Sequence, residues 1–365
     1  MNSHTDQQEI RFCSAAGGTR IAYATVGAGP PLVKTANYLT HLEHDWNGPV
    51  WRHWLDKLAQ HHTLVRYDER GCGLSDWDVT EFSINAWVQD LEAVVDSLGL
   101  TRFPLLGVSQ GASVSVAYAV KHPDKVSHLI LYGGYARGRL NRNLSAEEVL
   151  QAETMLNVIR IGWGKENPAF RQLFTTMLLP DGTKEQTDWL NELARISTTP
   201  ENAARMEGAF YQIDVVDLAK QVTTPTLVLH GRHDGGVPFE EGRLLAGLIP
   251  HARFVPLDSR NHILLDGEPA WERFLAEVFA FLGTEESKEK RLEPQELFPE
   301  LTPRELDVLQ LMAQGASNKA IAAELVVTAK TVRNYVSRIY SKLDANSRAQ
   351  VIILAREAGL GRQGK

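Results

Sequence analysis

Apolar residues recur with two different periods along this chain. Arg20-Ile21-Ala22-Tyr23-Ala24-Thr25-Val26 alternates with period two, the mark of a strand, and a Gly/Pro turn follows it. Pro31-Leu32-Val33 opens a second short apolar run, and residues 63–68 form a third, ended by Arg70-Gly71-Cys72-Gly73. The spacing then becomes helical. Ile84, Trp87, Val88, Leu91, Val94, Val95 and Leu98 fall on one stripe, with Ser83 placed to cap it and Gly99 to stop it. Phe103–Val108 reads as a buried strand, Gln110–Lys121 as a helix and Val126–Tyr132 as a strand. Alternation of this kind predicts an α/β fold, a mostly parallel sheet covered by helices.

Between about residues 137 and 222 the strand rhythm disappears. Leu, Met, Trp and charged residues at helical spacing predict a helical insertion, whose aromatic residues Trp163, Phe170, Phe174, Trp189, Phe210 and Tyr211 are expected mostly in a core. Strands return at Thr226-Leu227-Val228-Leu229-His230 and at Arg253-Phe254-Val255-Pro256-Leu257, and a helix over Pro269–Leu282 closes this body. Residues 284–299 read TEESKEKRLEPQELFP, nearly all charged or Pro, and are expected to link two domains.

Helical signals resume after the linker. Thr302-Pro303-Arg304-Glu305 is a capping box with Pro at the first helical position. Leu306, Leu309 and Met312 supply its buried stripe, and Gly315 ends it. Ser317, Thr328 and Asn346 are placed to cap three further helices. Val332, Val336, Ile339 and Leu343 form the inner face of the third of these four helices.

Composition adds constraints. At 365 residues the chain has room for two domains, and 43% apolar with 23% charged residues is ordinary for globular proteins. No apolar run of about 18 residues suggests a membrane span, and the polar stretch from Met1 to Glu9 lacks the apolar core of a secretory signal. Cys13 and Cys72 have neither a CxxC neighbour nor a metal-ligand pattern, so neither zinc nor a disulfide framework is expected. These features predict a cytoplasmic protein without metal or redox cofactor. The net charge of −7 is unevenly divided. From Gln295 onward ten Lys/Arg face seven Asp/Glu, a net +3, which leaves the preceding 294 residues at −10. Only the tail is suited to meet phosphates.

The body carries the elements of one chemistry. A serine hydroxyl is a weak nucleophile at neutral pH. It needs a histidine to take its proton, an acid to orient that histidine, and donors for the oxyanion that develops. Ser109 lies between a strand and a helix in Gly107-Val108-Ser109-Gln110-Gly111, Asp234 follows one later strand, and His262 follows the next. Their chain order and context resemble the α/β-hydrolase fold over roughly residues 10–283, with a helical cap inserted after the sixth strand. The stretches His41-Leu42-Glu43-His44-Asp45-Trp46 and Arg66-Tyr67-Asp68-Glu69-Arg70-Gly71-Cys72-Gly73-Leu74-Ser75-Asp76 look like the subgroup often fused to regulatory domains. The resemblance implies a Ser109–Asp234–His262 triad. It also implies an oxyanion hole of the backbone N–H groups of Gln110 and of Tyr38, in a loop that reads Asn37-Tyr38 where the family usually has His-Gly. A serine at this position suits acyl transfer to water from esters or lactones, and a ligand pocket is expected between cap and sheet.

The tail resembles the LuxR-type helix-turn-helix from Leu301 to about Leu360, most specifically in Gly315-Ala316-Ser317-Asn318-Lys319-Ala320-Ile321-Ala322 and Thr331-Val332-Arg333-Asn334-Tyr335-Val336. The resemblance implies a third helix in the major groove of double-stranded DNA and a fourth helix at a dimer contact. Lys319, Thr328, Lys330, Thr331, Arg333, Asn334, Ser337, Arg338 and Lys342 are then the expected contacts to phosphates and base edges. A net +3 limits phosphate neutralisation by one tail, so a homodimer is expected. The expected organisation is a ligand-sensing α/β-hydrolase-like domain over residues 1–283, with its cap at about 137–222, the linker, and a DNA-binding domain over 300–365. Two functions fit: a transcriptional regulator that binds a small ester- or lactone-like signal, with catalysis left open, or a serine hydrolase with an accessory DNA-binding domain.

Overall fold

The computed structural model describes residues 7–284, 298, 300–325, 327–343, 345 and 347–357. The expected linker, apart from residues 284 and 298, lies outside the described residues, as does Asn346. The chain divides into two units, Met1–Leu282 and Gly283–Lys365. No helix among the described residues is long and apolar enough to cross a membrane.

In the first unit eight strands form one sheet: β1 Glu9–Ser14, β2 Arg20–Val26, β3 Pro31–Lys34, β4 Thr63–Tyr67, β5 Phe103–Val108, β6 Val126–Tyr132, β7 Thr226–Gly231 and β8 Arg253–Leu257, in the order β1-β2-β4-β3-β5-β6-β7-β8. β2 runs antiparallel to β1 and β4, and every other pairing is parallel. Parallel strands here are covered on both faces, which is why they read as continuous apolar runs. Alternate residues still part to opposite sides. Leu105, Leu129, Leu131 and Val228 enter one core, while Leu106, Ile130, Tyr132, Leu227 and Leu229 enter the other beside Trp54, Trp271 and Phe274.

Helices α1 Leu42–Trp46, α2 Arg52–Ala59, α3 Ile84–Ser97 and α4 Gln110–Lys121 precede the insertion. The Ser83 hydroxyl accepts the Ala86 N–H at the start of α3. Gly99 follows its end with φ 63°, a conformation open to a residue without a Cβ. Between β6 and β7 the chain leaves the sheet to build α5 Ala146–Gly162, α6 Ala169–Leu178, α7 Lys184–Ser197, α8 Pro200–Tyr211 and α9 Val216–Ala219. An antiparallel bridge between Arg137 and Asp214 ties the two ends of this excursion together. Helices α10 Phe239–Leu248 and α11 Pro269–Leu282 complete the unit.

The sheet order places the site. From β3 the chain steps to β4 on one side, then returns to lay β5 on the other. The loops leaving β3 and β5 therefore diverge and open a crevice at the carboxyl end of the sheet, where ligands bind in open α/β folds.

The second unit holds four helices: α12 Pro303–Ala313, α13 Asn318–Glu324, α14 Ala329–Lys342 and α15 Arg348–Glu357. The Thr302–Glu305 capping box is formed, and Ser317 and Thr328 cap α13 and α14 with their hydroxyls. At α15 the Ser347 hydroxyl accepts the Gln350 N–H at 3.2 Å, the role the sequence suggested for Asn346. Leu309, Met312, Ile321, Val332, Ile339 and Val351 are the centre of the core, and Leu343 is half-buried at its edge.

Candidate functional site

Ser109 occupies the turn between β5 and α4 with φ 54° and ψ −129°. That backbone state costs a residue with a Cβ about 1–3 kcal/mol and persists only where its surroundings impose it. The surroundings are close-packed. A Cβ on Gly107 would meet Ser115 Oγ at 2.5 Å and Ala112 Cα at 2.6 Å, and one on Gly111 would meet the Ala36 carbonyl oxygen at 2.5 Å. Only glycine allows the helix to start this near the strand.

The loops after β7 and β8 bring two partners to Ser109. His262 Nε2 lies 2.9 Å from Ser109 Oγ, and His262 Nδ1 lies 2.8 Å from Asp234 Oδ2. Asp234 Oδ1 in turn accepts the N–H groups of Gly236 at 2.8 Å and Val237 at 3.0 Å. Burial works against the Asp234 carboxylate, but His262, His230 and the backbone donor outweigh it and hold its pKa below the ordinary value. An ionised Asp234 fixes the tautomer that leaves Nε2 free to take the serine proton, the arrangement of acyl-transfer chemistry. His230, which no local motif singles out, lies 3.5 Å from Asp234 Oδ2, and its Nε2 donates to the Val237 carbonyl oxygen. Burial lowers its pKa. The Val237 carbonyl oxygen only accepts, so His230 Nε2 carries the proton there.

The two backbone groups expected to form the oxyanion hole are both at this turn. The Gln110 N–H is the first of α4 and has no intrahelical acceptor. The Tyr38 N–H, however, donates to the Gln110 side-chain carbonyl at 3.0 Å. A substrate oxygen must share or displace that acceptor. The Gln110 side chain is buried and faces Glu69, whose charged form it favours. Burial, then the charges of Asp90 and Asp68, push the Glu69 carboxyl up to about 8. Lys34 donates to the Asn37 side chain and steadies the same loop. The Tyr38 ring belongs to the cap: it packs against Trp163, Phe174 and Phe210, and its hydroxyl donates to the Ala203 carbonyl at 3.3 Å.

A cavity of about 120 Å³ opens over Ser109 and His262. Of the cap aromatics, Phe174, Phe210 and Tyr211 line it, together with Met155 and Met177. Trp163 is buried behind them, Trp189 stacks on His44 at 4.8 Å, and Phe170 is 42% exposed. Arg139, Arg142 and Glu207 also line the cavity, three residues that no motif or spacing marks out. Asp68 and Arg70 brace the turn after β4. Asp68 accepts the N–H groups of Leu42 and Leu74, and Arg70 is paired with Asp90.

In the second unit α14 exposes Lys330, Arg333, Asn334, Ser337 and Arg338 along one face, with Thr331 half-buried beside them. Lys319 is exposed on α13. Thr328 is engaged as the cap of α14 and bonds Thr331 Oγ1 at 2.8 Å. Lys342 has a different partner from the one expected: its ammonium donates to Glu305 at 2.7 Å, joining α14 to α12.

Comparison with known proteins gives matching results for both units. The family profile described as "alpha/beta hydrolase fold" matches residues 42–269, and that described as "Bacterial regulatory proteins, luxR family" matches residues 299–355. A pyrrolizixenacetamide deacetylase from Xenorhabdus hominickii is 24% identical over 74% of this chain and 97% of its own length. A 2-hydroxy-6-oxo-2,4-heptadienoate hydrolase from Pseudomonas putida is 29% identical over 66% of this chain and 85% of its own. The crystal structure of an esterase from a Rhodococcus species superposes with a TM-score of 0.60 at 26% identity, covering 75% of this chain and 98% of that one.

Proposed function

The chain belongs to the α/β-hydrolase family and carries a luxR-family DNA-binding domain on the same polypeptide, and from that union we propose a transcriptional regulator whose hydrolase unit binds and hydrolyses a small ester- or lactone-like signal. The single observation that carries the reading is a formed Ser109–His262–Asp234 chain facing a cavity, in a protein that also presents a capped helix with a basic face. A DNA-binding domain gives a metabolic hydrolase no evident advantage, whereas a regulator needs a pocket of this kind. The hydrogen-bonded triad keeps a second reading in play, a working hydrolase whose tail only localises it. Ligand and DNA are coupled, in the regulator, by a difference in ligand affinity between two arrangements of the protein. The regulator acts in the cytoplasm as a homodimer on a palindromic site, because one tail neutralises too few phosphates for tight binding at physiological salt.

The groove assignment rests on α14. Arg333→Ala is expected to weaken binding of the full-length protein to its selected operator by about tenfold or more. Fluorescence anisotropy measures this directly, and unchanged affinity would remove α14 from the groove.

A further inference from the structure

The cavity over Ser109 is not uniformly apolar, and its polar end has a sign. Arg142 turns its Nε to the Arg137 carbonyl at 3.1 Å and lies 3.8 Å from Glu241. Glu241 is already held by Arg137 at 2.7 Å, so two guanidinium groups share one carboxylate. The terminal amino groups of Arg142 have no hydrogen-bond acceptor among the described residues, although the residue is largely buried against the Tyr135 ring, 5.6 Å away. Arg139 donates to Gln151 Oε1 at 3.5 Å and sits beside Tyr211, its guanidinium 5.9 Å from the ring and interacting with the hydroxyl. No carboxylate lies within ion-pair distance of it among the described residues.

Glu207 is the one acidic residue lining the cavity. Burial pushes its carboxyl up to about 7, against the Tyr211 hydrogen bond and Arg139, so near neutral pH it is only partly charged. The wall therefore holds a desolvated guanidinium fork whose nearest carboxylate, Glu241, is shared with Arg137. Such a fork recovers most when a planar carboxylate meets it in a two-point bond.

We infer that the ligand is a small carboxylate-bearing ester or lactone, its reactive carbonyl at Ser109 and its carboxylate on Arg142 and Arg139. The inference rests on the reading of the first unit as an ester-binding pocket and adds the class of molecule. Arg142 is then a specificity-determining residue that takes no part in bond cleavage.

Monomethyl succinate and dimethyl succinate are nearly equal in size and differ by one negative charge. Full-length protein is expected to hydrolyse the monoester with a kcat/KM about tenfold or more above that for the diester. Arg142→Met should bring the two rates to within about twofold of each other, and far-UV circular dichroism with the melting temperature shows that the variant is folded. Equal rates on both esters in the wild type would overturn the inference, and so would an equal loss on both in the variant. If neither ester is cleaved, the hydrolytic part of the proposed function fails, and the ligand class is still decided by binding. A rise in melting temperature with the monoester alone, absent in Arg142→Met, supports it. No rise with either compound overturns it.

Discussion

Ser109→Ala is expected to lower hydrolysis of p-nitrophenyl acetate by about 10⁴-fold or more, while binding of the full-length protein to its operator is retained. The geometry dictates the size of the loss. His262 Nε2 stands 2.9 Å from Ser109 Oγ, and Asp234 receives its other nitrogen at 2.8 Å. On the proposed chemistry the three act as a unit, so removing Ser109 removes nearly all they achieve together, leaving what binding and the backbone donors contribute. The alanine should be tolerated by the fold, because the Ser109 side chain makes no cap bond to α4. Steady-state rates for wild type and variant, normalised to active protein, measure the effect. A variant within about tenfold of the wild type would mean that Ser109 is not the nucleophile.

The second large effect is on stability. Arg70 binds both carboxylate oxygens of Asp90 at 2.7–3.0 Å, and the Asp90 side chain is fully buried. Asp90 also accepts the Arg70 backbone N–H at 3.2 Å. Such a pair offers little over an apolar substitute, but breaking it strands a buried guanidinium at about 3–5 kcal/mol. For a unit of this size, Asp90→Ala should then lower the melting temperature by about 10 °C, and Asp90→Asn by less, since the amide still offers Arg70 an oxygen. The loss should reach the cap as well. The turn that Arg70 braces accepts the Thr198 hydroxyl at the Gly71 carbonyl, and Gly73 N–H donates to the Ser197 carbonyl at the end of α7. Thermal denaturation by circular dichroism reads the shift, and a change below about 2 °C would show that the pair is dispensable.

Much of this architecture can be read from local signals. The boundaries of β5 and α4 follow from an apolar run, two glycines and a helical stripe, all within about twenty residues of one another. The tail is legible for a similar reason, since its caps and its buried stripe lie within single helices. Features made by distant segments left no trace of that kind. β1 is an edge strand of mixed residues, Glu9–Ser14, with no clean alternation, and it was not predicted. Arg139, Arg142 and Glu207 line one cavity only because the cap folds back over the sheet. Lys342 looks free on the face of its own helix, but Glu305, 37 positions earlier, takes its ammonium. The Tyr38 N–H has the position expected for an oxyanion donor, yet the side chain beside the nucleophile occupies it, and no spacing rule announces a bond over 72 positions.

The claim that one unit senses for the other is tested most directly by filling the site irreversibly. A small alkyl fluorophosphonate loses fluoride as Ser109 Oγ bonds to its phosphorus, leaving the cavity occupied. Ser109→Ala, which does not react, controls for labelling elsewhere. Operator affinity of the full-length protein is then measured by fluorescence anisotropy with and without the label. If occupancy of the cavity governs DNA binding, the two affinities differ by about fivefold or more, the lower end of ordinary allosteric coupling. Identical affinities for fully labelled and unlabelled protein would contradict the regulator and favour a hydrolase with a DNA-binding appendage.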